Sequence, residues 1–360
     1  MHPRTYALMA VAAGASMFLA LVGTNLIIDP QGMFGTGLLP RTINANERYE
    51  RFVAYRAAPD TYDGLLFGSS RASIMPLDEV SRRMNGVKFA SFAVAGGMLS
   101  DHLPVLEFVL REKARLGQRL RAVLMLIDID IFGTPPQTNQ NIQMLLPPPL
   151  TGENPVRFWW RYLTAIQFRT WGSVIREARK KSRSAEAPKA GPTRVVHGIA
   201  AAATETVGPA SAHAKPLTPA SDPVLPPRRG ISDRGDFPRQ IALLERFAAL
   251  CRQHGTELIV VITPLHPSKE HDFDPDDISQ AIEPISRVAP VWDFTGSYRL
   301  LDRPDLWRTD LMAHDTSHFG MEVALMMVRR IFGDAMPEAW KHFGQLRSAS
   351  GQASGQSAGH

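Results

Sequence analysis

A single cysteine, Cys251, stands among 360 residues. One thiol closes no internal disulfide and builds no cysteine-cluster metal site. Glycine-rich phosphate loops are missing as well: neither a Walker pattern nor a dinucleotide-binding pattern occurs, so nucleotide binding has no motif to rest on. No His-Glu-x-x-His or related ligand spacing is present, so His266, His314, His318 and their aspartate neighbours do not predict a zinc site. No metal and no cofactor is expected. There is no internal repeat. With 44% hydrophobic and 21% charged residues, the chain has enough apolar material for a core, which excludes disorder throughout.

The net charge of +5 does not point to nucleic acid. Nine basic residues and three acids fall between positions 179 and 230, and the rest of the chain is close to neutral. A DNA-binding domain carries its basic stripe on a helix or sheet face. Here the excess lies in a stretch of Ala, Pro, Ser, Thr and Gly, which reads as a solvated, disordered loop in contact at most with acidic polymer or lipid head groups.

Charge is absent from Tyr6 to Ile28. About 20 apolar residues cross a hydrocarbon core at 1.5 Å each, so this run predicts a membrane anchor that meets the bilayer through residues 6–28. A cleaved signal peptide is the alternative; its apolar region spans only about 7–15 residues before a small-x-small site. This run continues through Leu26-Ile27-Ile28. Arg4 before the span favours a cytoplasmic amino terminus, hence a single-pass protein of the inner membrane with an extracytoplasmic, periplasmic domain. The expected organisation is an anchor over 1–28, one α/β domain over 29–333 with a low-complexity insertion at about 181–230, and a mostly disordered extension over 334–360.

Within the domain, apolar runs alternate with amphipathic ones. Gly64–Phe67, Val87–Val94, Ala122–Ile127, Leu258–Ile262 and Pro290–Phe294 have strand character. Continuous apolar runs of this length suit strands buried on both faces, hence a parallel sheet. Helices are predicted near Glu47–Tyr55 and over Leu103–Leu116, Pro238–His254, Asp276–Val288 and Phe319–Phe332. The alternation predicts an α/β protein, a three-layer α/β/α sandwich whose ligands bind at the carboxyl ends of the strands. Glu153–Arg179 holds Trp159, Trp160, Tyr162, Phe168 and Trp171 and is expected to be an inserted helical region over the site. Its aromatics serve either core packing or sugar stacking.

Two blocks carry chemistry. A serine at a strand-to-helix turn is placed as a nucleophile, and its backbone N–H faces a developing oxyanion. Ser69 and Ser70 both occupy such a turn, the Gly68-Ser69-Ser70 turn directly after Gly64–Phe67. Near the carboxyl end stands Asp315-Thr316-Ser317-His318-Phe319, a carboxylate and an imidazole three positions apart. A histidine that takes a serine proton needs a carboxylate to hold its tautomer. The plain alternatives are a helix cap for each block.

Together with the intervening strands, Gly68–Arg71, the Gly96-Gly97 turn, the strand end Ile127–Asp130 and Asp315–Phe319 resemble the SGNH/GDSL hydrolase superfamily. Its membrane-anchored members of the alginate-type polysaccharide O-acetylation and D-alanyl-lipoteichoic acid esterification families are the most similar. The resemblance covers most of 29–333, outside the loop near 181–230, and implies a parallel, flavodoxin-like sheet. It implies Ser70 as nucleophile, His318 as base and Asp315 as its orienter. It also implies oxyanion N–H donors at Ser70 and at Gly96, with Gly97 the alternative. Ser69, Arg71, Asp128, Asp130 and His266 would line the pocket. Where the family carries an asparagine donor, this chain carries Asp128 and Asp130, and an ionised carboxylate cannot donate. Arg71 would pair with one of them or meet an anionic substrate. The implied activity is that of a serine esterase or O-acyltransferase acting on acylated polysaccharide of the cell envelope, with a membrane acyltransferase as a partner. The alternatives are a non-catalytic glycan-binding or scaffold protein built on the same groove, and a tethered lipase.

Overall fold

A computed structural model of the chain describes residues 3–39, 45–135, 141–185, 230–270, 273–296, 301, 303–308 and 317–348. Most of the expected loop near 181–230 and the end of the carboxyl-terminal extension lie outside these residues.

Helix α1 (Pro3–Ile28) is followed by α2 (Glu47–Ala57), β1 (Gly64–Gly68), a 3-10 turn (Ser70–Ile74) and α3 (Leu77–Arg83). Next come β2 (Phe89–Ala93), α4 (Leu99–Arg115), β3 (Ala122–Ile127) and the short α5 (Pro148–Thr151). Then follow α6 (Pro155–Thr164), α7 (Phe168–Ala185), α8 (Phe237–Gln253), β4 (Glu257–Ile262) and the single turn α9 (Pro267–Glu270). The chain closes with α10 (Pro275–Val288), β5 (Val291–Asp293), α11 (Met321–Ile331) and β6 (Gln345–Arg347). Local signals set these limits. Asn46 accepts from the Tyr49 N–H at 3.1 Å to start α2, Asp274 and Pro275 open α10, and Gly255 follows α8 at φ +61°.

The six strands are ordered β2-β1-β3-β4-β5-β6, parallel except for the antiparallel edge strand β6. Alternate residues of each strand feed two apolar layers. Leu65, Phe67, Val123, Met125, Val260 and Ile262 pack with α2, α4, α8 and α10. Leu66, Leu124, Leu126 and Val261 pack with α3 and α11. Burial on both faces is the reason these strands read as unbroken apolar runs. The order matters for the site: the chain leaves β1 towards β2, then returns past it to β3. A crevice therefore opens between the carboxyl ends of β1 and β3.

Three expectations are corrected here. The boundary at 333 stops short, because residues beyond it complete the sheet. Trp340 and Phe343 are buried in the second layer, and β6 pairs with β5. Gly344, at φ +78°, is needed there because a Cβ would overlap the Phe294 ring. The insertion starts later than 181, since α7 continues to Ala185. The aromatic segment is helical, but it packs along α1 rather than over the strand ends. Trp160 stacks on Phe18 at 5.5 Å. The Asn25 side chain donates to the carbonyls of Leu163 and Ala165 at 2.9 Å and accepts from Trp171 Nε1 at 3.0 Å. Helix α1 is the one described helix long and apolar enough to cross a membrane.

Because Phe343 is completely buried, Phe343→Ala should cost about 3–5 kcal/mol in denaturant unfolding of the full chain in detergent. An unchanged midpoint would show that 334–348 does not pack on the sheet.

Candidate active site

Strand β1 delivers the serine turn by a backbone device. Gly68 has φ +146°, where L side chains are strained, and a Cβ there would press on Ala72 and the Leu126 carbonyl. The chain can therefore break out of the sheet at once. Ser69 Oγ accepts from the Arg71 N–H at 3.1 Å and caps the 3-10 turn. Ser69 is thereby buried, while Ser70 stands half-exposed at the head of the turn.

The histidine arrives from the far end of the sequence. An antiparallel bridge joins Trp307 to Phe319, the Arg308 N–H donates to the His318 carbonyl at 2.8 Å, and α11 follows. This fixes the His318 backbone, and its Nε2 lies 2.7 Å from Ser70 Oγ. The two groups are 248 positions apart in sequence. His266 packs edge-on against Trp307 at 4.5 Å and so buttresses the same bridge. Asp315, the expected orienter, and His314 lie outside the described residues.

The glycine turn distinguishes its two glycines, of which the resemblance names Gly96 first and Gly97 as the alternative. The Gly97 N–H already donates to the Val94 carbonyl at 2.9 Å, so it is not available to an oxyanion. What Gly97 supplies is closeness: a Cβ would strike the Gly68 carbonyl and lie 3.0 Å from the His102 ring. Gly96, at φ +58° and exposed, makes the turn. The N–H groups of Gly96 and Ser70 donate no hydrogen bond among the described residues.

Beneath Ser70 the crevice is closed by two carboxylates with different partners. Asp128 accepts from Ser69 Oγ in a short hydrogen bond and from Thr263 Oγ1 at 2.6 Å, with Arg71 Nη1 at 3.5 Å. Its oxygens thus face hydroxyl donors that satisfy them. Asp130 is held bidentately by Arg71, both bonds 2.6 Å, and by Lys269 Nζ at 3.0 Å. Burial would raise the Asp130 pKa, but the Arg71 hydrogen bonds and the charges of Arg71 and Lys269 prevail and hold it at about 2. Lys269 also donates to Ser317 Oγ at 3.0 Å, which ties the carboxylate to the residue before His318. Arg71 is therefore committed to an internal ion pair with both aspartates rather than to a substrate.

Helix α2 braces the glycine turn from the other side. Arg48 forms a buried two-point pair with Asp101, at 3.1 and 2.9 Å, and donates to the Ala95 carbonyl at 3.3 Å. Glu47 accepts from the Ala95 N–H at 2.6 Å. Asp101 closes the loop by accepting from the Met98 N–H at 3.0 Å. His102 behind the turn is fully buried; burial lowers its pKa to about 4, against the pull of Asp101, so it packs as a neutral ring. A cavity of about 30 Å³ lies beside it, lined by Gly97, Met98, Asp128 and Phe132 among others.

Sequence reasoning passed over Thr263, Lys269, Arg48 and Glu47. Each is an ordinary polar residue locally, and only its distant partner marks it. No model of a known protein family matches the sequence, and no curated protein matches it.

Asp130→Asn should cost about 3–5 kcal/mol near neutral pH, because the buried Arg71 would lose its bidentate partner and keep the longer 3.5 Å contact to Asp128. The folded pKa lies below the unfolded one. The wild-type advantage should therefore be complete above about pH 4 and fade as pH falls towards about 2. Unfolding midpoints across that range measure it; a penalty that does not change with pH would refute the assignment.

Proposed function

We propose that this chain is a membrane-anchored, extracytoplasmic acyl-ester enzyme of the SGNH/GDSL type, which cleaves or transfers O-acyl groups on cell-envelope polysaccharide. The observation that carries the reading is the 2.7 Å approach of His318 Nε2 to Ser70 Oγ, at the carboxyl ends of parallel strands. The strand order β2-β1-β3-β4-β5 supports a flavodoxin-like sheet. The apolar, uncharged α1 supports the anchor.

The chemistry runs in two halves. His318 Nε2 takes the Ser70 hydroxyl proton as Ser70 Oγ bonds to the ester carbonyl carbon. The carbonyl oxygen becomes negative and meets the N–H groups of Ser70 and Gly96. Collapse expels the alkoxide, which receives the proton from His318, and leaves an acyl-serine. Water or a sugar hydroxyl then gives its proton to His318 and attacks the same carbon; collapse breaks the carbon–Oγ bond, and His318 returns that proton to Ser70 Oγ. Asp315 is the proposed orienter of the imidazole.

Asp128 stands where an amide donor is expected in this family. Its engagement by Ser69 and Thr263 removes the repulsion a bare carboxylate would exert, yet supplies no third donor. Loss of one oxyanion donor costs about 10²–10³ in rate, so slow turnover is expected. The same feature favours the second reading, a non-catalytic glycan-binding or scaffold protein.

A fluorophosphonate probe separates the two. Labelling should occur in the wild type, vanish in Ser70→Ala and persist in Ser69→Ala. Hydrolysis of acetylated glycan should fall by about 10³-fold or more in Ser70→Ala and in His318→Ala. Labelling that survives Ser70→Ala removes the nucleophile. A wild type that neither labels nor turns over, but binds acetylated glycan, supports the second reading.

A further inference from the structure

Helices α6 and α7 present a surface unlike the rest of the domain. Val156, Trp160, Ile166 and Phe168 are 53–75% exposed. Single exposed apolar residues are ordinary, but a strip of four with two large aromatics marks a contact surface. The strip has a cationic border. Arg169, Arg176 and Arg179 are exposed on α7, and none of the three has an ion-pair partner among the described residues. The inner side of α7 is occupied by Val174 and Trp171, so its outward face combines Phe168 and Ile175 with the arginines. An apolar face rimmed by basic residues is the pattern of helices that lie in a membrane interface.

Position decides what covers this strip. Asn25 is completely buried against Leu163, Ala165 and Trp171. The about 20 residues from Tyr6 to Asn25 measure about 30 Å, one hydrocarbon thickness. Asn25 thus marks the level where α1 leaves the apolar layer on the domain's side. Phe18, about two turns deeper, carries Trp160 stacked on it at 5.5 Å. Trp160 then sits about 10 Å inside that boundary, the depth to which interfacial helices sink. Ile166 and Phe168 follow directly on the residues bonded to Asn25. The chain after α1 is not a loose tether either, since Asp29 Oδ2 accepts from the Phe34 and Gly35 N–H groups at 3.1 and 2.8 Å.

We propose that the α6–α7 strip is a second membrane contact, embedded in the interface of the bilayer that α1 spans and binding anionic phospholipid head groups through Arg169, Arg176 and Arg179. The inference rests on α1 being that span. It turns the anchor into a wider footing: one helix crosses, the strip on α6 and α7 meets the same leaflet beside it, and the domain is held at a fixed tilt. The basic residues sit at the rim, where head-group phosphates are, and the aromatics below them at the acyl boundary.

The test uses the full chain in phosphatidylcholine vesicles with and without phosphatidylglycerol. An environment-sensitive fluorophore is attached at Ile166→Cys or, as a control, at Arg82→Cys on α3. Cys251 does not compete, since burial pushes its thiol up to about 12. Quenching by lipids with a shallow doxyl label should be strong at 166 and absent at 82. Trp160→Glu with Phe168→Glu should reduce it severalfold while the chain still resists carbonate extraction. Arg169→Gln with Arg176→Gln and Arg179→Gln should abolish the gain from phosphatidylglycerol. A carbonate-resistant wild type quenched no more at 166 than at 82 overturns the strip alone. Release of the wild type by carbonate overturns the span, and the strip with it. A blue shift that lipid does not quench, and that grows with protein density, assigns the face to a second copy and overturns the lipid contact. Equal quenching in both vesicle types overturns the head-group assignment.

Discussion

Two carboxylates buried at the end of one strand set the condition that the rest of this structure meets. A charge taken out of water must be paired and hydrogen-bonded, or the fold around it fails. Asp128 and Asp130 follow β3 and lie beneath the serine turn, so every element that touches the crevice contributes a donor. The turn after β1 supplies Ser69 and Arg71, the end of β4 supplies Thr263, and α9 supplies Lys269. Satisfying the carboxylates and positioning Ser70 are thus one task. Ser69 caps the turn and bonds Asp128 with the same hydroxyl, and Lys269 joins Asp130 to Ser317 beside the histidine.

This gives the proposed ester chemistry a rigid floor. A nucleophile and its base contribute most when neither has to search for the other. Here the serine is held by a glycine that only an unsubstituted backbone permits, and the histidine by a two-strand bridge. The Arg48–Asp101 pair does the same for the glycine turn. Gly97 spends its N–H on the Val94 carbonyl, while the N–H groups of Gly96 and Ser70 make no hydrogen bond among the described residues.

Helix α2 connects this site to the layer that packs on α1. Its first turn holds Ala95 and Asp101, while Tyr49 packs on Phe158 and Trp159 of α6. The layer that meets α1 is therefore one helix away from the glycine turn. Under the proposed docking, the height of the crevice above the bilayer is set by packing and not by the length of a linker.

Much of this was legible in the residue order. An uncharged run from Tyr6 to Ile28 reads as a helix long and apolar enough to cross a membrane, and unbroken apolar runs read as buried strands, because both follow from local hydropathy and length. The serine turn and His318 were singled out in the sequence, and the structure brings Ser70 and His318 together; Asp315 lies outside the described residues. Less was legible where partners are distant. Thr263 and Lys269 have no local signature, and the strand Gln345–Arg347 is short and polar, so only its pairing with β5 reveals it. Neighbours in sequence determined which segments are helix and strand and which helix is apolar throughout, since periodicity and hydropathy are properties of a few adjacent residues. The tertiary structure alone decided which donor meets which carboxylate, which glycine bonds the Val94 carbonyl and where the aromatic helices lie. Hydrogen-bond partners and buried neighbours are chosen in space, between residues that the chain itself keeps far apart.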